Sequence, residues 1–98
     1  MDIDDLKSSV SPVCREFGVR RLDAFGSTAR GEVTRSSDVD LLVEFVEPDR
    51  SPARRFFGFL HSLEDTLGCE VDLLTIGGLR NPHVRARVLR ERVLLYEG

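Results

Sequence analysis

A handful of side chains in this sequence have the types and spacing that chemistry on phosphates requires. Gly26 and Ser27 stand together. The glycine permits close backbone approach, and a hydroxyl beside the free amides of a helical turn can hold phosphate oxygens. Ten residues, Thr28 to Ser37, separate this pair from Asp38, and Asp40 follows after Val39. Two residues apart on a strand, Asp38 and Asp40 share one face, with backbones about 6.5–7 Å apart. On an inward face, unpaired carboxylates are expensive. Magnesium supplies the missing counter-charge, and it prefers a couple of carboxylates plus substrate phosphates and waters to an all-protein cage. Further along, Val71-Asp72-Leu73-Leu74 repeats Val39-Asp40-Leu41-Leu42, so Asp72 joins the pair if the two strands are neighbours. Three carboxylates beside a phosphate-holding turn are the parts needed for two-metal phosphoryl or nucleotidyl transfer. Arg30, three residues after Ser27, lies on the same face of a helical turn, where it can reach either a triphosphate or Glu32.

These residues need a scaffold, and the hydrophobic periodicity outlines one. Ile3, Leu6, Val10, Val13 and Phe17 form one face of a helix. Pro12 either kinks that helix or restarts it with Ser11 as cap, and Gly18 ends it. A short strand from Val19 to Phe25 leads directly into Gly26-Ser27, and one or two helical turns run to Gly31. Glu32 to Ser37 reads as a loop. Asp38 to Phe45 is the clearest strand, with Val39, Leu41, Val43 and Phe45 on one face and Asp38, Asp40, Leu42 and Glu44 on the other. A second helix over Ala53 to Leu67 has the stripe Phe56, Leu60, Leu63 and Leu67 and stops at Gly68. Of Phe56, Phe57 and Phe59, all suited to packing, one could be left exposed for a partner. Glu70 to Thr75 is a third strand and Gly77-Gly78 a turn. Asn81-Pro82 caps and starts a helix running to about Glu91, and Val93 to Tyr96 adds an edge strand. The predicted fold class is α/β (α+β), a small mixed central sheet with helices packed against it.

Size and composition narrow the alternatives. Ninety-eight residues predict one domain, spanning 1–98. With 17 acidic against 14 basic residues, a net charge of -3, strong nucleic-acid binding is not expected. Hydrophobic content of 41% with 32% charged residues suits a folded globule rather than a disordered tail. No apolar run approaches the roughly 20 residues of a membrane span. The acidic start, Asp2-Ile3-Asp4-Asp5, is unlike an export signal, which places the protein in the cytoplasm with Cys14 and Cys69 as reduced core thiols. His61 and His83 lack metal-ligand spacing, and there is no Walker-type phosphate loop. Arg80, Arg85, Arg87, Arg90 and Arg92 crowd the last segment, either as a solvated helix face or as a grip on an acidic partner or nucleotide.

The run Phe25-Gly26-Ser27-Thr28-Ala29-Arg30-Gly31-Glu32, continuing to Ser37-Asp38-Val39-Asp40-Leu41-Leu42-Val43-Glu44-Phe45, is similar to the signature of the DNA polymerase beta-like nucleotidyltransferases. Within that superfamily the chain resembles the minimal nucleotidyltransferase antitoxins, which are encoded beside toxins of the HEPN ribonuclease class. The likeness extends from the leading helix to the arginine-rich closing helix; Ala24, where a larger aliphatic residue is common, is a mild departure. The resemblance implies a nucleotidyltransferase fold in which Asp38 and Asp40 bind magnesium, Gly26 and Ser27 hold the triphosphate of ATP, and Asp72 is the third carboxylate. It implies transfer of AMP to a tyrosine of a HEPN toxin partner. The competing expectations are an antitoxin that acts by occlusion alone and a transferase acting on a small molecule or RNA end. Against the last, so short a chain leaves little room for an acceptor-binding region.

Overall fold

The computed structural model describes residues 2–31 and 38–98; the predicted loop Glu32 to Ser37 lies outside the described residues. The chain opens with α1 (Ile3–Glu16), whose N-terminus is capped by the Asp2 carboxylate accepting from the Asp5 N–H. Asp4 and Asp5 in its first turn complement the helix dipole. Pro12 sits inside this helix, so of the two alternatives the restart at Ser11 does not occur. The Ser11 hydroxyl instead donates back to the Lys7 carbonyl, and burial of Leu6, Val10, Val13 and Cys14 holds the two halves together across the proline. The strand β1 (Val19–Ala24) and the single-turn helix α2 (Gly26–Ala29) follow. After the undescribed stretch come β2 (Val39–Phe45), α3 (Pro52–Leu67), β3 (Val71–Thr75), a 3-10 turn at Ile76–Gly78, α4 (Pro82–Glu91) and β4 (Val93–Glu97).

The four strands form one mixed sheet in the order β3-β2-β1-β4. β1 pairs antiparallel with β2 and β4, while β2 and β3 run parallel, as a strand–helix–strand crossover through α3 requires. Alternation along β2 sends Val39, Leu41 and Val43 into the main core with Leu6, Val10, Leu22, Phe59 and Leu63, beneath α1 and α3. Leu42 faces the other way and packs with Leu79 and Val88, which seats α4 over that second face. The sheet is therefore covered on both sides, but the second layer is thin. In α3 the deepest aromatic is Phe59, fully buried between Phe17 and Phe45. Phe56 is only half-buried, and Phe57 is 55% exposed. The predicted stripe packs on the main core, with Leu63 buried and Phe56, Leu60 and Leu67 partly so; Phe59 joins it because four of the five residues from Phe56 to Leu60 are apolar.

An arginine organises the β2–α3 connection. Arg55 donates to the carbonyls of Val46 and Glu47 and lies over the Phe45 ring, 4.8 Å from its centroid. Glu47 and Ser51 in this turn adopt positive φ, an unusual conformation for side chains of their type. Among the described residues no helix is long and apolar enough to cross a membrane.

Candidate active site

The site is assembled where β1 gives way to α2. Gly26, the first residue of α2, has φ of +57°, a left-handed conformation that costs glycine little. A Cβ there would lie 3.0 Å from the Asp40 Oδ2, so glycine serves both the turn and the close approach of the carboxylate. Ser27 donates from its hydroxyl to the same Oδ2 at 3.4 Å. The hydroxyl is not capping the helix. The capping position belongs to Phe25, which supplies no side-chain hydrogen bond, so among the described residues the first amides of α2 have no capping side chain.

Asp40 is held on its main chain from both directions. Its carbonyl accepts from the Phe25 N–H at 3.1 Å, and its N–H donates to the Thr28 hydroxyl at 2.8 Å. The side chain is half-buried. Burial, then the neighbouring Asp72 charge, raise its carboxyl above the usual carboxylate range; Asp38 adds to the rise, while the Ser27 hydrogen bond and Arg30 oppose it. In the parallel register Val39 lies beside Val71, Asp40 beside Asp72 and Leu41 beside Leu73. The repeated Val-Asp-Leu-Leu run thus sits side by side on two adjacent strands, about 4.8 Å apart. Asp72 is exposed and makes no salt bridge among the described residues.

Asp38 departs from the expected inward position. It precedes the first residue of β2 and is exposed, because the strand is anchored from the next residue onward, where the Val39 N–H donates to the Glu70 carbonyl. Its charge is nevertheless felt at both Asp40 and Cys69. Arg30 follows α2 as its C-cap and lies within electrostatic reach of Asp40; Glu32, its alternative partner, lies outside the described residues. Among the described residues, no three His, Cys, Asp or Glu side chains converge into a closed metal-binding set. The three aspartates share one field without forming a closed cage among the described residues. That donor set fits a magnesium ion, which takes one or two carboxylates and completes its shell with phosphates and water. It does not fit an ion that demands a full protein cage.

Two features escaped sequence reasoning. Asp23 is 1% exposed, on the opposite side of β1 from the core residues Leu22 and Ala24. Arg21 donates to it through Nε and Nη2 at 2.9–3.1 Å, and Arg92 Nη1 lies 3.5 Å away. The alternation of Arg21 and Asp23 against Leu22 and Ala24 was the available signal. An apolar groove of about 700 Å³ also opens among Phe45, Pro48, Pro52, Phe56, Phe57 and Ile76. It lies at the far ends of β2 and β3 and contains none of the predicted site residues. Cys14 is buried as expected, but Cys69 is only partly so.

Comparison with known proteins places this arrangement in context. The sequence model of a family described as the nucleotidyltransferase domain matches residues 6–95. A candidate protein adenylyltransferase of Methanocaldococcus jannaschii is 38% identical over 93 residues, covering 95% of this chain and 97% of its own. The protein adenylyltransferase MntA of Thermococcus cleftensis is 38% identical over 93 residues, covering 94% and 91%. Among solved structures, a candidate minimal nucleotidyltransferase superposes with a TM-score of 0.77 at 38% identity, covering 95% of both chains. A chain from a toxin–antitoxin complex with AMP-PNP superposes with a TM-score of 0.72 at 20% identity, covering 94% of this chain and 73% of that one. A chain from the complex of tri-AMPylated Shewanella oneidensis HEPN toxin with MNT antitoxin gives 0.64 at 18% identity, covering 98% and 73%. These last two establish likeness of fold.

Proposed function

The chain belongs to the nucleotidyltransferase domain family as a minimal nucleotidyltransferase, and from that premise we propose that it transfers AMP from ATP to a tyrosine hydroxyl of a partner HEPN ribonuclease toxin, silencing it as an antitoxin. The observation that carries the reading is the meeting of Gly26, Ser27 and Asp40 at one turn, with Asp72 on the adjacent strand. The name protein adenylyltransferase, carried by relatives that align over nearly the whole chain, supports a protein as acceptor. Solved proteins of this fold include an antitoxin in complex with an AMPylated HEPN toxin.

In this proposal the free amides of α2 and the Ser27 hydroxyl hold the triphosphate, and Gly26 keeps the backbone close enough for them to reach it. Asp38 and Asp40, with Asp72 beside them, would hold magnesium, which when bound neutralises charge on the phosphates and on the leaving pyrophosphate. The acceptor hydroxyl, with a pKa near 10 when free, needs a base. Asp72, exposed at the sheet edge, takes its proton as the oxygen bonds to the α-phosphorus. The bond to pyrophosphate breaks, and pyrophosphate departs with the electron pair. With a protein as acceptor, the hydroxyl is positioned by docking of the partner.

The test uses the chain mixed with the product of its neighbouring gene, magnesium and ATP, with both proteins weighed by intact mass spectrometry. An adenylyl mass gain on the partner, absent with Asp38→Ala plus Asp40→Ala, is the expected result. Full neutralisation by that double variant without mass gain would replace enzymatic silencing with occlusion. Mass gain on an RNA or small molecule in place of the partner would reassign the acceptor.

A further inference from the structure

Thr28 is fully buried, and its place in the hydrogen-bond pattern gives it a role beyond packing. β1 ends at Ala24, which pairs with Leu41, so the ladder on that side of β2 runs out one residue short of Asp40. The α2 turn takes over the missing pair. The Phe25 N–H donates to the Asp40 carbonyl at 3.1 Å, and the Thr28 hydroxyl oxygen accepts from the Asp40 N–H at 2.8 Å. A side-chain oxygen thus stands where a strand carbonyl would otherwise be. The same turn presents Gly26 and Ser27 to the Asp40 carboxylate.

We infer that Thr28 is a positioning residue for the carboxylate site: by replacing the strand carbonyl, its hydroxyl fixes the Asp40 carboxylate relative to the Gly26–Ser27 turn, and with it the site's affinity for a divalent cation in the presence of nucleotide. This rests on the nucleotidyl-transfer reading above. Nothing else in the described structure accepts from the Asp40 N–H on that side. Valine at position 28 keeps the shape but leaves that buried donor unsatisfied. Relief comes only if the first residues of β2 move, and Asp40 moves with them.

The experiment measures Mn2+ binding by electron paramagnetic resonance in the presence of α,β-methylene-ATP, whose α-phosphorus cannot transfer, so no acceptor protein is needed. Thr28→Val is expected to weaken Mn2+ binding about tenfold or more, the range seen when the partner of a metal ligand is removed. Thr28→Ser, which keeps the oxygen, should stay within about twofold of the parent, well below that range. Both variants are assayed below their melting transitions, so loss of folded protein does not enter. Should Thr28→Val fail to fold, Thr28→Ala against Thr28→Ser isolates the hydroxyl, since both lack the methyl. A Thr28→Val protein that melts earlier yet binds Mn2+ as the parent does would overturn the inference and leave a structural role only. A parent protein with no Mn2+ affinity under these conditions would overturn both this inference and the magnesium site on which it rests. An absence of mass gain on any partner protein, with Mn2+ binding intact, would overturn the protein-acceptor reading alone.

Discussion

Replacing Gly26 with alanine separates two effects that the structure places at one atom. The first is backbone strain. Gly26 has φ of +57°, and an L-residue held there costs about 1–2 kcal/mol. In a domain of this size each 1 kcal/mol lowers Tm by about 4–8 °C, so strain alone predicts a loss of about 4–16 °C. The second is contact. The new Cβ would lie 3.0 Å from Asp40 Oδ2, tight enough to move that neighbour by a few tenths of an ångström. The Asp40 main chain is tied by Phe25 and Thr28, so the carboxylate yields by rotating away from the turn. Misplacement near 1 Å at a reacting centre costs about a hundredfold, so a smaller shift should cost about 10- to 100-fold in transfer rate. Gly68 provides the control. It caps α3 at φ of +68°, and a Cβ there would meet nothing within 4 Å. Gly68→Ala should therefore lose stability comparably and keep its rate. Differential scanning calorimetry gives the first quantity, and initial rates of adenylyl transfer below both transitions give the second. Equal rates in the two variants would refute the claim that Gly26 is required for its distance to Asp40.

Three other perturbations follow from buried charge and burial. Asp40 has a carboxyl raised in the folded state, so ionising it opposes folding; the penalty is absent below the ordinary value of about 3.9 and complete above the raised one. In chelator, Asp40→Asn should thus be more stable than the parent at pH 7, with the gap in urea denaturation closing as pH falls through the carboxylate range; a gap independent of pH would contradict this. Asp23→Ala leaves Arg21 and Arg92 without their shared carboxylate and should cost about 3 kcal/mol by urea denaturation, as for other broken buried pairs; a loss below about 1 kcal/mol would mean that the pair behaves as a surface one. Cys14 is fully buried with its thiol pushed up to about 12, so Ellman's reagent at pH 8 should leave it unmodified until denaturant is added, and rapid labelling of the native protein would show that this part of the core opens.

Local chemistry made much of this fold legible. Asn81 and Pro82 specify the start of α4, and the Asn81 carboxamide indeed accepts from the His83 and Val84 N–H groups. The matched Val-Asp-Leu-Leu runs anticipated which aspartates would neighbour one another, because parallel strands in register bring like positions together. What stayed hidden depended on tertiary context. Whether Pro12 divides a helix is decided by the core beneath it, and the positive φ of Glu47 and Ser51 has no local signal in residues of their type. Thr28 was passed over because a threonine in a short polar turn has nothing to distinguish it until the strand that ends beside it is known. Asp38 was placed one residue too deep because alternation was extended through the strand's first residue, where pairing begins and burial has not.

The two buried or half-buried acidic positions on one sheet face show how the fold divides its charges. Asp23 lies beside Leu42, and Asp40 stands two residues before Leu42 on the same face of β2. Asp23 is removed from water and Asp40 partly so, yet the chain treats them differently. Asp23 receives two guanidinium groups from β1 and the α4–β4 junction and becomes part of the structure's cohesion. Asp40 makes no salt bridge within the described residues and has like charges at Asp72 and Asp38 instead. Its main chain is tied by Phe25 and Thr28, while among the described residues its carboxylate accepts a long hydrogen bond from Ser27 and has Arg30 within electrostatic reach. A fold selected for stability alone would replace that carboxylate with an apolar residue. Fixing the backbone while like charges and burial outweigh the opposing Arg30 is the arrangement expected where a compensating cation comes with a substrate, which supports the proposal that the working end of the sheet is at β2 and β3.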